Sequence, residues 1–208
     1  MKIETVVSGK LDNNTYVVIT ESNNAVIIDP SLDYEKIDNV LSNSGASLKY
    51  IIFTHGHYDH TASAGRLRQK TGAKLVIHHR DAEMLSDGEK DLSFIFTNHP
   101  ELCSADIEVD DGDFLELDEL KFEFMSTPGH SNGCMLIFCG DVIFTGDTVL
   151  EGTVGRTDLY GSNDSLMIQS VRKIAALEKN YTLLCGHGKP STLEFEKKYN
   201  PYFIEYAR

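Results

Sequence analysis

Short runs of apolar residues, separated by polar and glycine-containing stretches, mark this chain as rich in strands. They lie at Lys2–Val7, Tyr16–Thr20, Ala25–Ile28, Tyr50–Phe53, Lys74–Ile77, Lys121–Met125, Met135–Phe138, Val142–Phe144 and Tyr181–Leu184. Between them the apolar spacing lengthens to a helical period at Asp33–Ser44, Thr61–Thr71, His79–Ser86 and Ser165–Lys179. In the last of these, Leu166, Val171, Ile174 and Leu177 form a core-facing stripe, with Arg172, Lys173 and Lys179 on the solvated face. Asn163 or Asp164 stands where an N-cap is needed, and Asn180 where the helix should stop.

The order of these elements predicts an α/β layered fold with mixed sheets, because parallel neighbours need helical crossovers. No linker or low-complexity tract interrupts the chain, so residues 1–208 read as a single domain. The most loop-like stretch, Ser86 to Ser104, carries Phe94, Ile95 and Phe96. They are expected to be buried loop anchors, with a lid as the alternative.

Composition narrows the function classes. The 208 residues are 41% hydrophobic and 25% charged, enough for a real core. Thirty-two acidic against nineteen basic residues give a net charge of -13, which repels a phosphate backbone and argues against nucleic acid as a partner. Anionic metabolites remain possible, since bound divalent cations reverse the local field. No run approaches the roughly 20 apolar residues of a membrane span, and Met1 to Lys10 lacks the pattern of an export signal. No membrane association and a cytoplasmic location are therefore expected. Cys103, Cys134, Cys139 and Cys185 show no CxxC spacing and read as reduced, packing thiols.

The sharpest feature is Thr54-His55-Gly56-His57-Tyr58-Asp59-His60, directly after the apolar run Tyr50–Phe53. At this chain's residue frequencies an H-x-H-x-D-H match would arise by chance in roughly one chain in a thousand, so coincidence is a weak explanation. In an extended segment alternate residues point the same way, so His55, His57 and Asp59 can converge while His60 turns aside. One segment can thus feed two adjacent metals. Further candidate ligands sit in small-residue turns after strand-like runs: His130 in Pro128-Gly129-His130-Ser131, Asp147 in Thr145-Gly146-Asp147-Thr148, and His187 in Cys185-Gly186-His187-Gly188. Glycine allows the sharp bend that would aim each side chain at the sheet ends.

Through the THxHxDH, PGHS, TGDT and GHG motifs in that order, the chain resembles the metallo-β-lactamase-fold hydrolases from about Ile51 to Pro201. Within them, Gly155-Arg156-Thr157-Asp158 and Gly186-His187-Gly188-Lys189-Pro190 look most like glyoxalase II, the hydroxyacylglutathione hydrolases, in their short single-domain branch. The resemblance implies a four-layer αβ/βα sandwich of two mixed β-sheets flanked by helices. It also implies two divalent metal ions, zinc first with iron or manganese possible. His55, His57 and His130 would hold one, Asp59, His60 and His187 the other, and Asp147 would bridge them.

The implied activity is hydrolysis of a small-molecule 2-hydroxyacyl thioester such as S-lactoylglutathione by a metal-bridging hydroxide, with Asp59 and Asp147 as the catalytic carboxylates. Arg156 falls at the family's glutathione-binding basic position, although Asp158 replaces the tyrosine found two residues later there. It reads either as a substrate-binding cation or as the partner of Asp158. Tyr58, between two candidate ligands, is a candidate hydrogen-bond donor to substrate. The larger glyoxalase II enzymes add a C-terminal helical domain, which is not expected in this chain. On the same fold, the alternatives are a mononuclear-iron persulfide dioxygenase, which GRTD also resembles, and a lactonase.

Overall fold

The computed structural model describes residues 1–9 and 11–206. The antiparallel meander β1 (Lys2–Ser8), β2 (Asn13–Ile19) and β3 (Asn24–Ile28) opens the first sheet. Helix α1 (Tyr34–Ser44) then crosses over to β4 (Ser47–Ile52), and α2 (Tyr58–Thr61) with α3 (Ala64–Thr71) crosses to β5 (Lys74–His78). With β6 (Ile107–Val109), these last strands lie parallel to one another and to β3. The second sheet begins with antiparallel β7 (Phe114–Leu117), β8 (Leu120–Ser126), β9 (Met135–Cys139) and β10 (Val142–Gly146). Helix α4 (Asp164–Ala175) brings β11 (Thr182–Cys185) parallel to β10, and β12 (Ser191–Thr192), α5 (Leu193–Tyr199) and α6 (Pro201–Tyr206) follow. Each sheet has six strands, in the orders β1-β2-β3-β4-β5-β6 and β12-β11-β10-β9-β8-β7.

Three apolar clusters stack these elements into the four layers that the family resemblance implied. Val18, Val26, Ile28 and Val76 of the first sheet meet Phe122, Phe124, Ile137 and Phe144 of the second. On the first sheet's other face, Val17, Ile27, Ile51 and Leu75 pack under Ile37 and Leu41 of α1 and Leu67 of α3. Leu136, Ile143 and Leu183 of the second sheet are covered by Met167, Val171 and Ile174 of α4 and by Leu193 and Phe203. Each fully buried aliphatic side chain contributes about 1.5–3 kcal/mol. Burial on both faces explains why Tyr16–Ile19 of β2, Ala25–Ile28 of β3 and all of β9 read as unbroken apolar runs rather than alternating ones.

Several boundaries differ from the expectations. The predicted helix Thr61–Thr71 is two helices, α2 and α3, and His79–Ser86 is a 3₁₀ helix. Helix α4 starts as expected, the Asn163 side chain accepting from the Leu166 amide at 3.0 Å, but ends at Ala175. Strands β6, β7 and β12 and helices α5 and α6 were not anticipated. Phe94 and Ile95 are each 63% exposed, so they are not buried anchors. The Ser86–Ser104 loop is instead fastened by the buried Asp91 and Ser93, with the Tyr58 amide donating to the Asp91 carbonyl at 2.8 Å. Burial raises the thiols of Cys103 and Cys139 to about 11 and that of Cys185 to about 12, which keeps them protonated and suits packing roles.

Candidate metal centre

All seven candidate ligands gather at one edge of the facing sheets. The 54–60 segment leaves the C-terminal side of β4, His130 sits in the β8–β9 turn, and Asp147 and His187 follow β10 and β11. The sheets are tied together here by the Met135 amide donating to the Thr54 carbonyl (2.9 Å) and the Asn14 amide to the Gly186 carbonyl (2.8 Å). Two glycines make the approach possible. Gly146 has φ +49°, and a Cβ there would lie 2.2 Å from Thr54 Oγ1; at Gly186 a Cβ would lie 2.3 Å from Asp147 Oδ1.

Two three-residue groups result. His55, His57 and His130 bring ligand nitrogens within 4.8 Å of one another, and a carboxylate oxygen of Asp59 lies as close to the ring nitrogens of His60 and His187. His57 Nδ1 stands 2.9 Å from His130 Nε2, and His60 Nε2 stands 3.2 Å from His187 Nε2. Nitrogen pairs facing at this distance gain nothing from each other unless a proton or a cation lies between them. His55 Nε2, His57 Nε2 and Asp147 Oδ1 are buried without any hydrogen-bond partner. Leaving such a group unmet costs about 1–3 kcal/mol. The donor set of imidazoles and carboxylates, with its orphaned buried atoms, therefore fits divalent cations.

Charge is divided unevenly across the two groups. Burial, reinforced by neighbouring histidines, holds His55 well below the usual imidazole range and His57 at about 3, so both are neutral donors. Burial opposes charge at His60 too, but Asp59 and Asp147 outweigh it and raise His60 to about 9. At His187 burial is likewise overcome, by hydrogen bonds to Asp147 and Asp59, and the imidazole rises to about 11. Burial also works against ionised Asp59 and Asp147, yet the His60 charge keeps both below the normal carboxylate range.

Residues behind these groups fix ring orientation. His130 Nδ1 donates to the Arg156 carbonyl at 2.8 Å and His187 Nδ1 to the Leu11 carbonyl at 2.8 Å, leaving each Nε2 facing the centre. His60 Nδ1 donates to Asp29 Oδ2 at 3.0 Å. Asp29 also accepts from the Thr54 amide (2.7 Å) and hydroxyl (2.6 Å), so although it lies near His55 and His60 its oxygens are already engaged. Asn13 Nδ2 donates to Asp59 Oδ2 at 2.9 Å. Asp81 accepts from the Gly56 and Gly133 amides and from Ser131 Oγ. Asp29, Asn13 and Asp81 were not singled out from the sequence. A separate group, His78, His79 and Asp110, also has ligand-type atoms in reach, but His78 Nδ1 accepts from the Arg80 amide and its Nε2 lies 2.8 Å from Ser126 Oγ, which occupies both nitrogens.

A cavity of about 320 Å³ opens onto the centre, lined by His57, Asp59, His130, Asp147 and His187 together with Leu11, Leu92, Ile95, Phe96, Leu159 and Arg156. The Arg156 guanidinium pairs with Asp158 through two hydrogen bonds, Nε to Oδ1 at 2.6 Å and Nη2 to Oδ2 at 2.7 Å. Tyr58 does not line this cavity. It is 7% exposed, with its ring 6.0 Å from that of Phe96, and so braces the Ser86–Ser104 loop where substrate contact had been expected.

Comparison with known proteins matches this geometry to a family. The metallo-beta-lactamase superfamily model matches residues 8–187. Hydroxyacylglutathione hydrolase GloC of Haemophilus influenzae is 31% identical over 217 residues, covering 97% of this chain and 98% of that protein. Among solved structures, the BLEG-1 B3 metallo-beta-lactamase aligns with a TM-score of 0.91 and 28% identity over 97% of this chain and 99% of its own. TTHA1623 in a di-iron-bound form aligns with a TM-score of 0.83 and 27% identity over 96% and 99%. By its sequence match, its two-sheet architecture and its clustered histidines and aspartates, the chain belongs to the metallo-beta-lactamase superfamily of metal-dependent hydrolases.

Proposed function

We propose that this protein is a dinuclear metallohydrolase that cleaves a 2-hydroxyacyl thioester such as S-lactoylglutathione. The observation that carries the reading is the position of Asp147 between the two ligand groups. Its Oδ1 is 3.5 Å from His60 Nε2, and its Oδ2 is 3.5 Å from His130 Nε2 and 3.3 Å from His187 Nε2. One carboxylate touching both groups suits a bridge. His55, His57 and His130 would hold one ion, Asp59, His60 and His187 the other, with zinc the first choice and iron or manganese compatible with the same donors. Similarity to GloC and to a di-iron-bound protein supports both the substrate class and the count.

When bound, two such ions lower the pKa of water from 15.7 to about 7 and polarise a carbonyl, supplying nucleophile and electrophile at one place. The chain's own residues do the positioning. Asp59, restrained by Asn13, orients the attacking oxygen, and Asp29 holds the His60 ring in place. A C–O bond forms as the C–S bond breaks, one water proton passing to the departing thiolate. No side-chain nucleophile is needed: the nearby Cys185 is buried and held protonated at about 12.

The test is metal content per chain on protein purified without added metal, paired with thiol release from S-lactoylglutathione. Two ions per chain and chelator-sensitive thiol release are expected. One iron per chain, no thiol release and oxygen uptake with a persulfide would replace this reading with sulfur dioxygenation. Lactone or β-lactam turnover exceeding thioester turnover would move the substrate class instead.

A further inference from the structure

The cavity over the metal centre has one wall whose chemistry the hydrolytic reading leaves unused. Leu11, Leu92, Ile95, Phe96 and Leu159 line it, and Arg156 is the one lysine or arginine among the described lining residues. That guanidinium is already matched by the two oxygens of Asp158, so a substrate carboxylate would have to displace a bidentate partner. Ile95 and Leu11 stay 63% and 47% exposed at the mouth, which is unfavourable for apolar side chains unless something covers them.

The wall is preformed rather than loose. Leu92 is held at φ +66°, an unusual backbone for leucine. The surrounding contacts maintain it: the Tyr58 amide donates to the Asp91 carbonyl, the Ser93 amide to Asp91 Oδ1 at 2.8 Å, and the Tyr58 ring packs beside Phe96. Such a surface costs little to organise when a ligand arrives.

We propose that this wall, with Ile95 and Phe96 at its centre, selects a thioester whose thiol carries an uncharged apolar arm in preference to a dicarboxylate tripeptide thiol such as glutathione. The inference rests on the thioester reading of the same site. A 2-hydroxyacyl group is small and polar and belongs against the metal-side residues, so the apolar surface falls to the thiol arm.

The test compares kcat/KM of the metal-loaded protein on S-lactoylglutathione and on the lactoyl thioester of phenylmethanethiol, which share the acyl group. The apolar thioester is expected to win by about tenfold or more. The exposed-site variant Ile95→Ser should cut that ratio severalfold without shifting Tm, and Asp158→Asn, by releasing Arg156, should raise turnover of the glutathione thioester. A ratio at or below one, or a ratio untouched by both Ile95→Ser and Phe96→Ala, overturns the inference. If neither thioester is hydrolysed the thioester reading fails, and the wall is then judged by calorimetric binding of the two free thiols. Tighter phenylmethanethiol sustains it, and equal or tighter glutathione overturns it.

Discussion

Asp81 Oδ1 accepts the Gly133 amide at 2.7 Å, a bond between residues 52 positions apart that fastens the turn carrying His130 to the 3₁₀ segment after β5. The other oxygen accepts from Gly56, between His55 and His57, at 3.0 Å and from Ser131 Oγ at 2.5 Å. One fully buried carboxylate therefore sets the distance between the two loops that supply the three-histidine group. Burial pushes its carboxyl above the usual range, opposed by those three donors.

Asp81→Ala would strand the three donors at about 1–3 kcal/mol each, so a stability loss on the order of 3 kcal/mol or more is expected. Metal affinity should also fall, by roughly 10–100-fold. Asp81→Asn, which keeps the shape and one acceptor, should lie between. Denaturant midpoints and chelator competition measure the two effects separately. Full metal affinity in a destabilised Asp81→Ala protein would reduce the residue to packing.

Protons and metal ions should compete at His60 and His187 but not at His55 and His57. His55 and His57 are neutral at pH 7, whereas His60, raised to about 9, and His187, raised to about 11, are protonated in the metal-free protein. Loading His60 and His187 should therefore release on the order of two protons, and loading His55 and His57 none. A histidine raised on folding contributes stability that is complete below its unfolded pKa near 6.5 and lost as pH rises through its folded value. Metal-free protein should accordingly lose Tm from about pH 6.5 through 9 as His60 deprotonates and on through about 11 as His187 does, while the loaded protein should not. Calorimetry in buffers of different ionisation enthalpy reads the proton count, and metal loading without proton release from His60 and His187 would contradict the charge distribution.

The parts legible from sequence are those whose signal is local. The 54–60 run compresses four candidate ligands behind one apolar strand, and Gly146 and Gly186 announce the close approaches at Asp147 and His187. Asp29, Asn13 and Asp81 act through partners 25 to 52 residues away, a distance that no local pattern encodes. Asp29 nevertheless had a signal, since it ends an apolar strand run much as Asp147 follows one. Tyr58 misled because adjacency in sequence says nothing about direction: it starts α2, where successive side chains diverge by about 100°. Phe94 and Ile95 misled because apolar residues usually indicate burial, whereas both are exposed and Ile95 stands at the rim of the cavity.

Asp147→Asn tests the bridge. The amide keeps the side chain's shape but removes the negative charge that helps raise His60 and His187. Bound metal is expected to fall from two ions toward one per chain, and hydrolysis by about a hundredfold or more. Two ions retained with full activity would eliminate Asp147 as the bridge.

The last turns of the chain reach the site through a buried carboxylate. Glu196 of α5 is fully buried and accepts from the Gly152 amide (3.1 Å), from Asn200 Nδ2 (2.7 Å) and from Ser191 Oγ. Asn200 Nδ2 also donates to the Thr153 carbonyl at 2.9 Å. Together they hold the 151–156 loop, whose Arg156 carbonyl fixes the His130 tautomer. Glu196→Ala leaves buried donors unmet and should cost about 2–3 kcal/mol of stability. Because His130 is then less well oriented, kcat and metal affinity should fall while KM changes little. Glu196→Gln, which retains an acceptor toward Gly152, should recover most of the metal affinity. If Glu196→Ala lowers Tm but leaves chelator competition unchanged, the connection from α5 to His130 does not exist.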